Sequence, residues 1–199
     1  MKKIILIIFL LICEYSLANT KILTIVSVNN YPITNIDIEN EIKIIKIINP
    51  NLDHNTKFQE IAIESLINEI LKKREIIENN IESNEQFVKK KFYETINQIN
   101  KIILTDSLEK VIYKKVKLEI DWNKYIYKKF SWKVNINIDE IENQISKENK
   151  KNNEEDFQKY KDSLINAEKN IKLNIYGVNY LELLKKNAVI KYYKWKKIY

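Results

Sequence analysis

Residues Ile22 to Val28 form a mostly β-branched run that stops at Asn29 and Asn30, two residues that tolerate turn backbone. This predicts a short strand. Pro32 fixes the exit from the turn, and Thr34 with Asp37 three residues later has the capping-box spacing that opens a helix. That first helix is expected over Asn35–Ile48, stopping ahead of Pro50, which disfavours helix at the residue before it. A second helix, Thr56–Asn79, carries Phe58, Ile61, Ala62, Leu66, Ile70 and Ile77 near helical spacing, with Ile63, Ile67 and Leu71 on an adjacent stripe. So wide an apolar face implies neighbours on two sides. Asn84–Ile103 repeats the period more weakly through Phe87, Phe92, Ile96 and Ile99. Asp106 or Ser107 can cap the next helix, whose buried side is Leu108, Val111, Ile112, Leu118, Trp122, Tyr125 and Ile126 and whose end falls near Phe130.

Ser131–Ile138 alternates, and Asp139 opens a shorter helix to about Lys147. The composition from Lys147 to Asp156 is almost wholly Lys, Asn, Glu and Asp, which reads as a linker or an exposed helix end. Apolar periodicity is sparse through Lys172, resumes at Tyr180–Leu184, and gives way to the strand-like AVIKYYKWKKIY that ends at Tyr199. The pattern therefore predicts a mainly α fold, a multi-helix body with a strand near each end. Ile22–Val28 and Ala188–Tyr199 need each other, because an isolated strand leaves its amides unpaired.

The segment ahead of the first strand has the layout of a cleavable signal peptide: Lys2 and Lys3, the apolar run Ile4–Ile12, then the small residues Ser16 and Ala18. The run is shorter than the about 20 residues a membrane-spanning helix needs. Cleavage near Ala18 would place the chain in the periplasm and remove Cys13, leaving about 181 residues, no cysteine for a disulfide, and stability that rests on core burial.

One glycine and two prolines among 199 residues exclude glycine-rich phosphate and dinucleotide loops. The net charge of +7, or +6 once Lys2, Lys3 and Glu14 leave together, raises nucleic acid or an anionic membrane as partners. Lys and Glu are interleaved along Glu69–Glu78, the pattern of a solvated helix face, and an exported chain is in the wrong compartment for nucleic acid. Membrane contact is expected only during export. The wealth of Ile, Lys and Asn matches A+T-rich coding, which weakens any argument from charge alone.

Candidate chemistry is sparse. His54 beside Asp53 is an incomplete metal set and reads as an ordinary loop histidine. No cysteine remains as nucleophile, and a Ser or Thr nucleophile would have only His54 or a Lys as base. Asp37 and Glu41, one helical turn apart, read as a solvated helix start. No catalytic, metal-binding or cofactor-binding residue emerges, and no enzyme activity is expected.

Four stretches carry a family likeness: TIVSVNNYPITNIDIENEI (24–42), IESLINEILKKREI (63–76), VKLEIDWNKYIYKKFSWKVNINIDEIENQI (116–145) and YLELLKKNAVIKYY (180–193). Their order after an export signal resembles the SurA-type periplasmic chaperones. In that family a strand and a "PIT" turn lead into the first helix, a Trp helix precedes an acidic helix start, and a closing helix and strand return to the N-terminus. Members usually carry parvulin-type prolyl isomerase domains of about a hundred residues before the closing segment. Here only 146–179 is available, and the paired histidines of such domains are missing, His54 being the single histidine.

The resemblance implies a small antiparallel pairing of the N-terminal and C-terminal strands, and a division into a signal peptide (1–18), a helical chaperone domain (19–145), a polar linker or helical segment in place of the isomerase (146–179), and a closing helix and strand (180–199). It further implies an ATP-independent holdase, without cofactor, for unfolded outer-membrane-protein precursors. A prolyl isomerase with residual or partner-supplied activity, and a non-catalytic envelope scaffold, are the alternatives. Flat amphipathic side chains that contact unfolded chains with little entropy loss gather near one helix end and at the C-terminus. Of these, Trp122, Tyr125 and Phe130 are read first as core, leaving Tyr127, Trp132 and Trp195, with Tyr193, as candidate client contacts.

Overall fold

The hairpin that opens the fold turns on two asparagines. In the computed structural model, which describes residues 21–52, 57–97, 99, 105–147 and 154–193, β1 (Thr24–Val28) and β2 (Tyr31–Thr34) are joined by Asn29 and Asn30. Both have left-handed backbone, φ 46° and 73°, which lets a two-residue turn follow the natural twist of the strands. β3 (Ile190–Tyr192) pairs antiparallel with the other edge of β1, so the sheet order is β2-β1-β3 and the first strand is the central one. The expected pairing of N- and C-terminal strands is present over a shorter length, and Trp195 and the rest of 194–199 lie outside the described residues. The β2 arm was missed because Asn-Asn was read only as a strand end.

Asn29 does two jobs. Its amide N–H donates to the Val189 carbonyl at 3.0 Å, and its side-chain oxygen accepts from the Val189 N–H at 2.9 Å, tying the turn to β3. Asn35 does similar work one strand earlier. Its backbone N–H donates to the Leu23 carbonyl at 2.9 Å and its side-chain oxygen accepts the Leu23 N–H at 2.8 Å, a side chain standing in for a strand partner.

Thr34 ends β2 and caps α1 (Asn35–Ile48) in one residue. Its hydroxyl accepts from the Asp37 N–H while the Asp37 carboxylate accepts from the Thr34 N–H at 2.8 Å. α2 (Phe58–Glu78) ends through Asn80, whose φ of 51° lets the Ile81 N–H reach back to the Ile76 carbonyl at 3.0 Å and folds Ile81 into the core. α3 (Glu85–Ile96) is capped by Asn84 and α4 (Asp106–Phe130) by Thr105, one residue earlier than expected. A 3-10 turn, Ser131–Lys133, follows, then α5 (Ile138–Lys147) and α6 (Glu154–Asn187). The 34 residues of α6 run through 179 and 180, so the segment expected as a linker or isomerase replacement and the closing helix share one rod.

The core lies where α2 crosses the sheet, α4 and α6, and holds Val26, Val28, Ile38, Ala62, Ile67, Leu71, Trp122, Ile126, Leu173 and Leu184. On α2 the buried stripe is the one through Ile67 and Leu71, while Ile61 and Ile77, expected on the apolar face, are exposed. Val111 of α4 is likewise exposed, and His54 and the expected signal segment 1–18 lie outside the described residues. Among the described residues no helix is long and apolar enough to cross a membrane.

Asn29→Ala removes both the residue type that tolerates left-handed backbone and the side-chain bond to β3. It is expected to lower stability by about 1–3 kcal/mol, read as a lower urea midpoint with an unchanged slope.

Candidate groove between the two long helices

The stripe Ile67–Leu71 continues at the same spacing to Glu75, which is 7% exposed. A carboxylate at a core position needs partners, and two phenols supply them. The hydroxyls of Tyr125 (α4) and Tyr180 (α6) donate to its Oε2 at 2.7 and 2.6 Å, and Arg74 approaches its Oε1 at 3.5 Å. The Lys129 ammonium donates to the Tyr125 oxygen at 2.9 Å and lies 4.5 Å from the centre of the Tyr180 ring. Burial, the largest single influence, raises the Glu75 pKa, but the bonds from Tyr180, Tyr125 and Arg74 together hold it below the ordinary carboxylate value. Burial, the bond to Tyr180 and the charge on Glu75 push the Tyr125 pKa upward. Both groups therefore stay in one protonation state through neutral pH.

A second buried carboxylate corrects an expectation. Glu41, read as part of a solvated helix start, is buried beside Ile38, where it accepts from Ser65 at 2.6 Å and pairs with Lys115 at 2.8 Å. Lys115 also holds Glu69 at 2.7 Å. Burial alone would lower the Lys115 pKa; the two carboxylates outweigh it and raise the net value. Asp37, by contrast, does sit at the exposed helix start. These clusters fasten α1, α2 and α4 to one another. Among the described residues no group of three or more His, Cys, Asp or Glu side chains is placed to hold a metal ion.

With Tyr125 and Tyr180 fixed on Glu75, the neighbouring faces of α4 and α6 diverge around a groove of about 490 Å³. Its floor is Trp122, Ile126 and Leu173, with Gly177 opposite Ile126. A Cβ at Gly177 would sit 3.4 Å from an Ile126 side-chain carbon and 3.7 Å from the Trp122 indole nitrogen, so a methyl there would make ordinary contacts with the groove floor. Val178 and Leu181 extend the apolar lining, and Asn123, Asn170 and Asn174 place three amides on the walls. The charged lining groups, Lys72 and Glu119, neutralise each other at 2.6 Å. From Asn170 to Leu181 the helix advances about 16 Å, the length of about five residues of extended chain.

The sequence candidates distribute unevenly over this geometry. Trp122 is buried in the groove floor, its ring near-parallel to Tyr180 with centres 6.2 Å apart. Tyr125 is buried on Glu75, and Phe130 is half-buried, stacked on Tyr176 at 5.4 Å. Tyr127, 51% exposed, forms one end of the groove with the Lys169 ammonium 4.8 Å from its ring centre. Trp132, 76% exposed, stands on the 3-10 turn outside it, its indole N–H donating to the Lys129 carbonyl at 2.9 Å. Tyr193 is on the sheet, its N–H donating to the Ile25 carbonyl at 2.9 Å, and Trp195 lies outside the described residues. The candidates are thus brought together in part: Trp122 and Tyr127 share the groove, while Trp132 and Tyr193 stand apart from it.

Sequence reasoning missed Leu173 and Val178, which fall between the polar run ending at Lys172 and the apolar period that resumes at Tyr180. Gly177, the sole glycine, set within a helical stretch, was the available signal. Compared with models of known protein families and with curated proteins, the chain matches none.

Two outcomes are expected. Glu75→Gln should lose about 1.5–3 kcal/mol at neutral pH, because a charge-assisted acceptor is replaced. The folded pKa of Glu75 is depressed, so its contribution is complete above the ordinary carboxylate pKa and is lost as pH falls through the lowered value. The gap between parent and variant in denaturant midpoints should therefore close only in strong acid. Gly177→Ala should raise stability by up to about 1 kcal/mol in the same assay, since helix propensity improves and the added methyl meets Ile126 at ordinary contact distance.

Proposed function

We propose that this chain is a periplasmic, ATP-independent holdase of the SurA type that has no isomerase domain, and that it binds unfolded outer-membrane-protein precursors in the groove between α4 and α6. The observation that carries the reading is the groove's chemistry: an apolar floor, three wall amides and no net charge. An unfolded chain offers apolar side chains and unpaired N–H and C=O groups in alternation, and an asparagine amide both donates and accepts. Apolar burial on Trp122, Ile126 and Leu173 supplies affinity, and the amides satisfy backbone groups with little regard for sequence. Val178, 53% exposed at the lip, and Tyr127 at one end extend the contact without ordering a flexible loop. No bond is made or broken. Binding lowers the concentration of free aggregating chain, and release follows when the client's own folding or delivery competes.

Dilution of a urea-unfolded outer-membrane barrel protein into buffer with increasing amounts of this chain tests the proposal. Suppression of light scattering near stoichiometric amounts, unaffected by a folded soluble competitor, is expected. Val178→Glu, at an exposed position, should require several-fold more chain for the same suppression while its melting curve stays that of the parent. Failure of the folded parent to suppress scattering would overturn the reading. A protease-coupled prolyl peptide assay is expected to show only the uncatalysed rate.

A further inference from the structure

The outer surface formed by α3 and the end of α4 has a different character from the groove. Phe87 and Trp132 are exposed there with Lys91, Lys124 and Lys128, and Tyr127, at the end of the groove, borders it. Phe87, Lys91, Ile120 and Lys124 line one shallow apolar concavity of about 500 Å³, Lys128 follows Lys124 one turn on along α4, and Trp132 stands on the 3-10 turn just beyond. From Trp122 to Asn137 the sequence holds four lysines and no carboxylate. Lys91 is paired with Glu94 at 2.6 Å and Lys124 donates to the Glu82 carbonyl at 2.6 Å, whereas Lys128 has no ion-pair partner among the described residues. The patch is cationic and aromatic together.

We propose that this face docks on a bilayer surface bearing anionic headgroups. Aromatic rings with a polar edge settle at the boundary between headgroups and acyl chains, and lysines beside them gain from the negative surface potential. Trp132 suits that boundary because its indole N–H is already bonded to the Lys129 carbonyl, so its apolar edge can leave water without stranding a donor. Nucleic acid fits less well. A lysine ammonium lies over one face of each ring, Lys91 on Phe87 at 5.9 Å, Lys169 on Tyr127 at 4.8 Å and Lys133 on Trp132 at 5.0 Å, where a base would otherwise stack. A neutral unfolded polypeptide gains nothing from the uncompensated lysines, and the groove already offers it amides.

The test is binding of the full chain to vesicles of neutral phosphatidylcholine and to vesicles with added anionic phosphatidylglycerol. Ile4–Ile12 can attach the chain to any bilayer, so the readout is the anionic preference and its change in variants. The parent should bind anionic vesicles at least about tenfold more tightly at low salt, with the preference shrinking as salt rises. Lys124→Gln with Lys128→Gln should cost about thirtyfold, each lysine near an anionic surface contributing about fivefold. Trp132→Phe should lose the quenching of tryptophan emission by brominated acyl chains. Equal binding to both vesicle types, a double variant that keeps the parent's preference, or displacement from vesicles by an oligonucleotide or an unfolded polypeptide acting on this face would each overturn the proposal.

Discussion

The arrangement of the three long helices depends on where the Glu75 carboxylate finds its donors. Left unpartnered at a core position it would oppose folding by several kcal/mol, so α4 and α6 must bring Tyr125 and Tyr180 to it together. This makes one polar contact a register pin for helices 50 and 105 residues away in sequence. Apolar stripes slide past one another at modest cost, whereas two hydroxyls meeting one oxygen allow a single axial offset. The groove is the by-product of that offset: with the tyrosines held, Gly177 meets Ile126 and the helix faces beyond them stand open.

Glu41 and Asp121 extend the same logic outward. Each is buried and each has a lysine on it, Lys115 and Lys117, and Asp121 also accepts the Ser83 N–H at 2.9 Å, anchoring the connection between α2 and α3. Small apolar side chains alone would pack these helices without fixing their order.

Element boundaries were legible wherever a cap or a proline marked them. Thr34–Asp37 and Pro50 placed α1, and the apolar period of α4 placed its end at Phe130. The return of the C-terminal strand to β1 was implied by the family likeness, and the need to pair amides gave it a physical reason. What stayed hidden were positions where a polar residue occupies an apolar slot. Glu75 follows Arg74 in a charged run and resembles surface, yet it stands four residues beyond Leu71 on the buried stripe. The groove was obscured for the converse reason: Leu173 and Leu181 share one stripe of α6, but Gly177 interrupts it and asparagines flank it, so the stripe carries little apolar signal. Trp122 and Tyr125 read well as core because their spacing matched Ile126 and Leu118; Tyr127 read well as surface because it broke that spacing.

With glycine almost absent, asparagine takes the left-handed positions, at 29, 30 and 80, while the one glycine stands inside a helix facing Ile126. The central place of β1 has a consequence for the order of events. Its second partner, β3, lies more than 160 residues further along, so one edge of the most buried strand stays open until that distant segment has been synthesised. A chain that lost β3 would leave that β-edge bare, the kind of edge that seeds aggregation.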